Sequence, residues 1–352
     1  MNAWKSKIKK LYGPIAIFGA GGFLGFNLLQ KILGYRKDVF GLFSDPKKNW
    51  RLEKLATPPQ NVVKCDLLDG GEIKAVISRI KPKTIFNLAA YGAYSTQRDI
   101  NRIYQTNFNS TYILIEELKK YGFSAYIHAG SQSEYGLNCS GPSEEDELIP
   151  NSHYAVSKTA VSYMVKYYGE RERLPVVHLR LYSVYGQWEE PSRLIPTLIK
   201  EARRNRLPKF VDPNISRDFV YVDDVIEAMV LVSVSLCHPE QSEGSLANAR
   251  FSNKLRDSSL QKSSFRMTDR LYGEVFNVCT GKRTTIKELA YLTKKIFKIK
   301  EEPRFGTMKN RDWDLKVWYG NPKKIQKVFS WKAKTSLKVG LENFFHRFDK
   351  TQ

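Results

Sequence analysis

The sequence predicts an α/β fold, a doubly wound parallel sheet with a smaller, interleaved C-terminal lobe. Two observations carry that prediction. Short apolar runs of strand length alternate with helical patterns through the first half of the chain. The first run passes straight into a glycine-rich turn that opens a helix.

Ile15-Ala16-Ile17-Phe18 is the first buried strand, and Gly19-Ala20-Gly21-Gly22-Phe23-Leu24-Gly25 follows without a gap. Apolar positions at Phe23, Leu24, Leu28, Leu29, Ile32 and Leu33 then recur at helical spacing up to Gly34. Glycines let a backbone approach a pyrophosphate, and a helix start such as Phe23-Leu24 offers amides and a positive dipole. This context makes the fold Rossmann-like, with Gly19, Gly22, Phe23, Leu24 and Gly25 as candidate cofactor contacts. Residues 38–44 read as the second strand. Folds of this type often end it with an acid for the adenosine ribose. Here Phe43 or Ser44 takes that position, Asp45 comes late, and Lys47, Lys48 and Arg51 follow. The pattern leans to NADP over NAD, with Ser44 beside the cofactor.

Further strands are predicted at 62–65, 84–89, 125–129 and 176–179, with helices at 72–80 and 111–120 between them. A helix at 224–236, a strand at 275–278 and a helix opened by a Thr285/Glu288 capping box follow. Residues 1–183 form the expected dinucleotide-binding domain, with returning segments near 217–236 and 274–280. Residues 184–352 supply most of a substrate-binding lobe, its covering segment made irregular by Pro191, Pro196, Pro208 and Pro213. Residues 237–268 are polar, show neither period, and read as a disordered insertion.

Composition narrows the function. The 352 residues carry 42% hydrophobic content, with no apolar run of membrane-spanning length. No secretory core follows the basic first ten residues. Cys65, Cys139, Cys237 and Cys279 have no metal-ligand or disulfide spacing, which fits a reducing cytoplasm and excludes a predicted metal site. The net charge of +21 is spread along the whole chain rather than gathered in a stripe, which argues against nucleic acid as a partner.

The chemistry centres on Tyr154-x-x-x-Lys158, within a helical pattern that Asn151 or Ser152 can cap. One turn of helix puts the phenol and the ammonium on one face. A lysine cation beside a tyrosine favours the phenolate, which can then exchange a proton with a hydroxyl or a carbonyl. Ser131 directly follows the fifth strand, where its hydroxyl can face the same site.

These features together resemble the extended short-chain dehydrogenase/reductase family, in its nucleotide-sugar epimerase/dehydratase branch. The resemblance covers nearly the whole chain outside 237–268. It rests on the glycine loop, Asp66-Leu67, Leu88-Ala89-Ala90, Asn107, Ser131, Tyr154 with Lys158, the run Leu179 through Gly186, and the run Arg217 through Asp224. The resemblance implies Ser131, Tyr154 and Lys158 as the catalytic set. It implies Asp66, Leu67, Leu88, Ala89, Ala90 and Asn107, with Tyr154 and Lys158, as cofactor contacts. Tyr91, Ser133, Arg217 and Arg311 become candidates for a nucleotide-diphosphate sugar, the arginines facing its phosphates. NADP or NAD is the implied cofactor and a homodimer the implied assembly.

The expected reaction is oxidoreduction at C4 of the sugar, as a 4-epimerase or a 4-keto-reductase. A 4,6-dehydratase, a non-catalytic dinucleotide-binding protein and an RNA-binding relative are the alternatives. Dehydration needs further acids after the Ser131 position, and this chain has Gln132 and Ser133 there. Glu134 is one residue late and is expected to point away from the site.

Overall fold

The computed structural model describes residues 3–54, 61–238, 271–308 and 315–348. Its centre is a seven-stranded parallel sheet: β1 (Ile15–Phe18), β2 (Val39–Phe43), β3 (Val62–Lys64), β4 (Thr84–Asn87), β5 (Ala125–Ser131), β6 (Val176–Leu181) and the late strand Val275–Val278. From edge to edge the order is Val275–Val278, β6, β5, β4, β1, β2, β3. Ile15 faces Val39 on one side and Thr84 on the other, so β1 sits where the order reverses. In open parallel sheets that reversal leaves a crevice at the strand carboxyl ends.

Both faces of the sheet are covered, which is why its strands are mostly apolar on both sides and their few polar groups are buried. Successive side chains take opposite faces. Ile15, Ile17, Phe86 and Ile127 join one core with Leu28, Leu29 and Val225. Ala16, Phe18, Ile85 and Tyr126 join the other with Ile73, Leu114 and Val161. The first face is covered by α2 (Phe23–Leu33) and α8 (Val222–Cys237), the second by α3 (Gly70–Ile80), α5 (Ser110–Lys119) and α6 (His153–Glu170). A short helix α1 (Ala3–Lys9) lies against α8, where Lys7 pairs with Glu227 at 2.7 Å.

The remaining chain does two things the sequence did not signal. Residues 100–119 are one continuous rod in which α4 (Ile100–Tyr104) passes through a π turn at Gln105–Asn109 into α5. The proline-rich segment after β6 is not irregular throughout, since it holds helix α7 (Leu194–Ala202). Pro196 sits in the first turn of α7, where a missing amide costs nothing. Two small ribbons lie beside the sheet. Ser183–Tyr185 (β7) pairs with Phe219–Tyr221 (β9) in parallel, and Ser216–Arg217 (β8) pairs with Thr284–Thr285 in antiparallel. The segment 219–221 therefore returns to β7 and not to the main sheet, whereas 275–278 does join it. The helices Ile286–Phe297, Lys323–Phe329 and Leu337–Arg347 complete the described chain. The first opens on the expected capping box, Thr285 with Glu288. The insertion read as disordered lies, from residue 239 to 268, outside the described residues, and so does Arg311.

Among the described residues no helix is long and apolar enough to cross a membrane. No group of three metal-ligating side chains occurs among them either.

Candidate active site

The crevice over β1, β4 and β5 is a cleft of about 840 Å³. Its first wall is the glycine turn. Gly19 has φ +76°, and a side chain there would meet the backbone of Ala89 at 2.6 Å. A side chain at Gly25 would run into the Gly19 carbonyl, so α2 can pack down on the turn only with glycine. Gly22 caps α2 in extended conformation without a side-chain hydrogen bond. The first-turn amides of α2 are thus left to whatever lies in the cleft, which Gly22, Phe23, Leu24 and Gly25 all line.

Ser44, Asp66, Leu67, Leu88, Ala89, Ala90, Tyr91, Ser131, Ser133, Tyr154, Lys158 and Arg217 line the same cleft. The fold brings them together because each follows a strand end or stands on α6. Ser152, not Asn151, caps α6 by accepting from Ala155 N at 3.2 Å. Lys158 is 1% exposed, and its Nζ donates to the Ala129 carbonyl at 2.8 Å.

Asn107 stands apart from this set. It does not line the cleft, and its side chain is committed internally. It donates to the Tyr91 carbonyl and to Ser157 Oγ, both at 2.9 Å, and accepts from Tyr91 N at 2.8 Å. Its position in the π turn makes it a clasp between the Tyr91 loop and α6.

The electrostatics correct one expectation. Burial pushes Tyr154 up to about 12, and a hydrogen bond with Ser131 pulls the other way. Lys158 does not offset this, because its ammonium is turned to Ala129. Burial holds Lys158 itself down to about 8, with the Glu134 charge opposing. The carboxylate of Glu134 is fully buried behind Ser131 and does not line the cleft. It accepts from Ser131 N at 2.7 Å, from Arg180 Nε at 2.7 Å, and meets His178 Nε2 at 2.8 Å.

Beyond β2 the three expected cations are placed differently. Lys47, Lys48 and Arg51 do not line the cleft, whereas Asp45 does. Arg51 is 5% exposed and donates to the Gly21 carbonyl, the Trp188 carbonyl and Glu190. Asp45 accepts from Lys47 N at 3.1 Å. Sequence reasoning missed Arg193, which lines the cleft just before α7 with its guanidinium over the Tyr94 ring. No periodicity marked it. Arg217 lies over Trp318.

A model of the NAD dependent epimerase/dehydratase family matches residues 15–241. The chain belongs to that family. Among curated members it is 24% identical over 340 residues to protein CapI of Staphylococcus aureus, covering 94% of this chain and 96% of that one. It is 27% identical over 365 residues to UDP-glucuronate 4-epimerase 6 of Arabidopsis thaliana, covering 97% and 74%. A UDP-glucose 4-epimerase of Thermotoga maritima superposes with a TM-score of 0.75 at 24% identity, covering 96% and 99%. The UDP-glucuronic acid 4-epimerase of Bacillus cereus, in complex with UDP-glucuronic acid and NAD, gives 0.74 at 22%, covering 96% and 99%. At such identities the structural likeness establishes the shared fold. Within this epimerase/dehydratase family, members at comparable distance include a dTDP-glucose 4,6-dehydratase of Haemophilus influenzae, 27% identical over 238 residues. Which reaction this chain runs must therefore be argued from its own site.

Proposed function

We propose that this protein oxidises and reduces C4 of a nucleotide-diphosphate sugar with a bound nicotinamide dinucleotide, as a 4-epimerase or a 4-keto-reductase. The observation that carries this reading is the joint placement of Ser131, Tyr154 and Lys158 in one cleft with the glycine turn. The residues fit a dinucleotide. The uncapped start of α2 offers amides to a pyrophosphate, and the close backbone approach at Gly19 leaves the floor open. Asp66 and Leu67 would hold the adenine end, and Leu88, Ala89 and Ala90 would line the rest of the cofactor. The nicotinamide, when bound, supplies hydride acceptance and donation.

The chain's residues handle the proton and the position. Tyr154 takes the proton of the sugar's O4 hydroxyl on oxidation and returns it on reduction. Ser131 hydrogen-bonds the same oxygen and fixes it against the phenol. Lys158, one helical turn from Tyr154, would bind the ribose hydroxyls of the cofactor. A phenol near 12 keeps its proton at neutral pH, and positive charge that a bound cofactor would place beside it would favour the phenolate. Arg193 and Arg217 take the diphosphate, with Tyr91 and Ser133 at the sugar. Arg311 keeps its proposed place at the diphosphate on sequence grounds alone.

The cofactor reading moves from NADP toward NAD. The lean to NADP rested on Ser44 at the end of β2, on the late position of Asp45 and on the cations that follow, Lys47, Lys48 and Arg51. Arg51 is committed to backbone carbonyls, and the carboxylate of Asp45 stands in the lining instead. A carboxylate there suits ribose hydroxyls and repels a 2′-phosphate. The buried, unpaired cysteines support the reducing cytoplasm as its compartment.

Against dehydration, Gln132 and Ser133 offer no carboxylate to the cleft, and the Glu134 carboxylate is turned to the core. The deciding experiment incubates the protein with UDP-, GDP-, CDP- and dTDP-hexoses and hexuronates, with NAD or NADPH, and reads products by mass spectrometry and chromatography. A C4 epimer, or a reduced 4-keto sugar, is expected, with NAD retained through purification in the epimerase case. Loss of 18 mass units from any nucleotide-hexose would overturn the reading and make this chain a dehydratase.

A further inference from the structure

The buried cluster behind Ser131 has no part in the reaction as described, yet it touches both halves of the proposed catalytic set. We infer that Glu134, through its ion pair with Arg180, is a positioning residue that sets the Ser131 hydroxyl against the Tyr154 phenol. The inference rests on the proposed function for its activity readout.

One carboxylate makes all the connections. Glu134 Oε1 accepts from Ser131 N at 2.7 Å and meets His178 Nε2 at 2.8 Å. Glu134 Oε2 accepts from Arg180 Nε at 2.7 Å. Arg180 continues outward. Its Nη1 donates to Tyr135 OH at 2.8 Å, and its Nη2 donates to Ser162 Oγ at 3.2 Å. Ser162 stands on α6 one turn beyond Lys158, on the helix that carries Tyr154. The chain of bonds therefore runs from the Ser131 amide, through carboxylate and guanidinium, to the helix of the phenol.

Other features fix this arrangement. A Cβ at Gly130 would stand 2.6 Å from Glu134 Oε1, so only glycine lets the carboxylate rise against the strand end. Ser131 Oγ accepts from Ser133 N at 3.1 Å, closing a capping box with Glu134 across a single 3₁₀ turn. With the amide held and one lone pair taken by Ser133 N, the Ser131 hydroxyl keeps its O–H and its other lone pair for Tyr154. Glu134, His178 and Arg180 are each nine-tenths or more buried, so water cannot replace any of these bonds at low cost. Arg180 and His178 neutralise and solvate the carboxylate in place.

The test is a double-mutant cycle between Glu134→Gln and Ser131→Ala, read as kcat and KM on the nucleotide sugar that the wild type turns over. A misplacement of the hydroxyl should lower kcat by about 10²-fold in Glu134→Gln, with KM changed less than about threefold. In the Ser131→Ala background the same change should cost less than about threefold, because the group being positioned is gone. Equal losses in both backgrounds, or a Glu134→Gln kcat within about threefold of wild type, would overturn the inference. Should Glu134→Gln fail to fold, Glu134→Asp keeps the charge and withdraws it by one methylene, with the same two outcomes. Crystal structures of wild type and variant give a readout free of activity. The Ser131–Tyr154 hydrogen bond should be present in the first and broken in the second, and its survival would also overturn the inference. A wild type inert on every nucleotide sugar sinks the proposed function by itself, and the crystallographic comparison then still decides this point.

Discussion

Burial raises the Tyr154 hydroxyl to about 12, so it holds its proton at neutral pH. Tyr154→Phe keeps the ring's packing and removes the proton. Turnover should fall by on the order of 10²–10⁴, while the dissociation constant for NAD, measured by calorimetry, changes little. Activity within about tenfold of wild type would remove Tyr154 from the acid/base role. A second buried acid gives a pH signature. Burial raises Glu189 to about 8 from an ordinary 4.5, with Arg193 opposing. The fold favours the neutral carboxyl, so its stabilising contribution is whole below pH 4.5 and is lost as pH rises through about 8. Urea denaturation from pH 5 to 8 should show wild type losing stability more steeply than Glu189→Gln. Parallel curves would show that Glu189 ionises normally. At this scale the gathering of Tyr154, Lys158 and Ser131 in one cleft was legible from their spacing and strand-end positions. Arg193 was not, since a single cation after a proline has no pattern. The hydrogen bonds of Asn107 to Tyr91 and Ser157 were not legible, since sequence gives a residue's place on an element and not which way its amide turns.

Among the elements, the corner between β8 and β9 does the most with one side chain. Asp218 is buried, and its carboxylate accepts from Thr280 N and Oγ1, Gly281 N and Gly320 N. That joins the ribbon to the loop after Val275–Val278 and to the segment before Lys323–Phe329. Asp218→Ala would leave several backbone donors without partners and should cost about 3 kcal/mol or more in urea denaturation. A loss below about 1 kcal/mol would mean that water enters and replaces the carboxylate. The long elements could be read from sequence because their apolar residues repeat with the strand or helix period. The three-residue strand β7 could not, since pairing and not pattern makes it. The helix Ala3–Lys9 was also missed. Its segment is lysine-rich, and its hold on the fold comes from the tertiary contacts of Lys7 and buried Ile8.

At the scale of the molecule, tyrosines on α5 and α6 form an exposed aromatic face among the described residues. Tyr112 on α5 is 51% exposed, and Tyr163 and Tyr167 on α6 are 62% and 55% exposed. The two helices lie side by side, tied by Tyr168 OH donating to Glu116 at 2.6 Å. We expect a homodimer closed through this face, a two-fold pairing that buries all three tyrosines. Sedimentation velocity should give a dimer for wild type and a monomer for Tyr163→Glu with Tyr167→Glu; a monomeric wild type would refute it. The charge of +21 belongs to this scale too, and its spread along the chain was legible in sequence as a general surface property.

The last strand of the sheet has a consequence in time. Val275 pairs with His178, so the open side of β6 is completed by residues made about a hundred positions later. At roughly 5–20 residues per second, a ribosome needs on the order of 5–20 s to deliver that strand. For that interval β6, six residues with His178 and Arg180 among them, stands without its outer partner, the kind of edge on which neighbouring chains add. The yield of this protein in a cell is therefore governed by how fast the stretch between residues 181 and 275 is translated and by what shields β6 meanwhile.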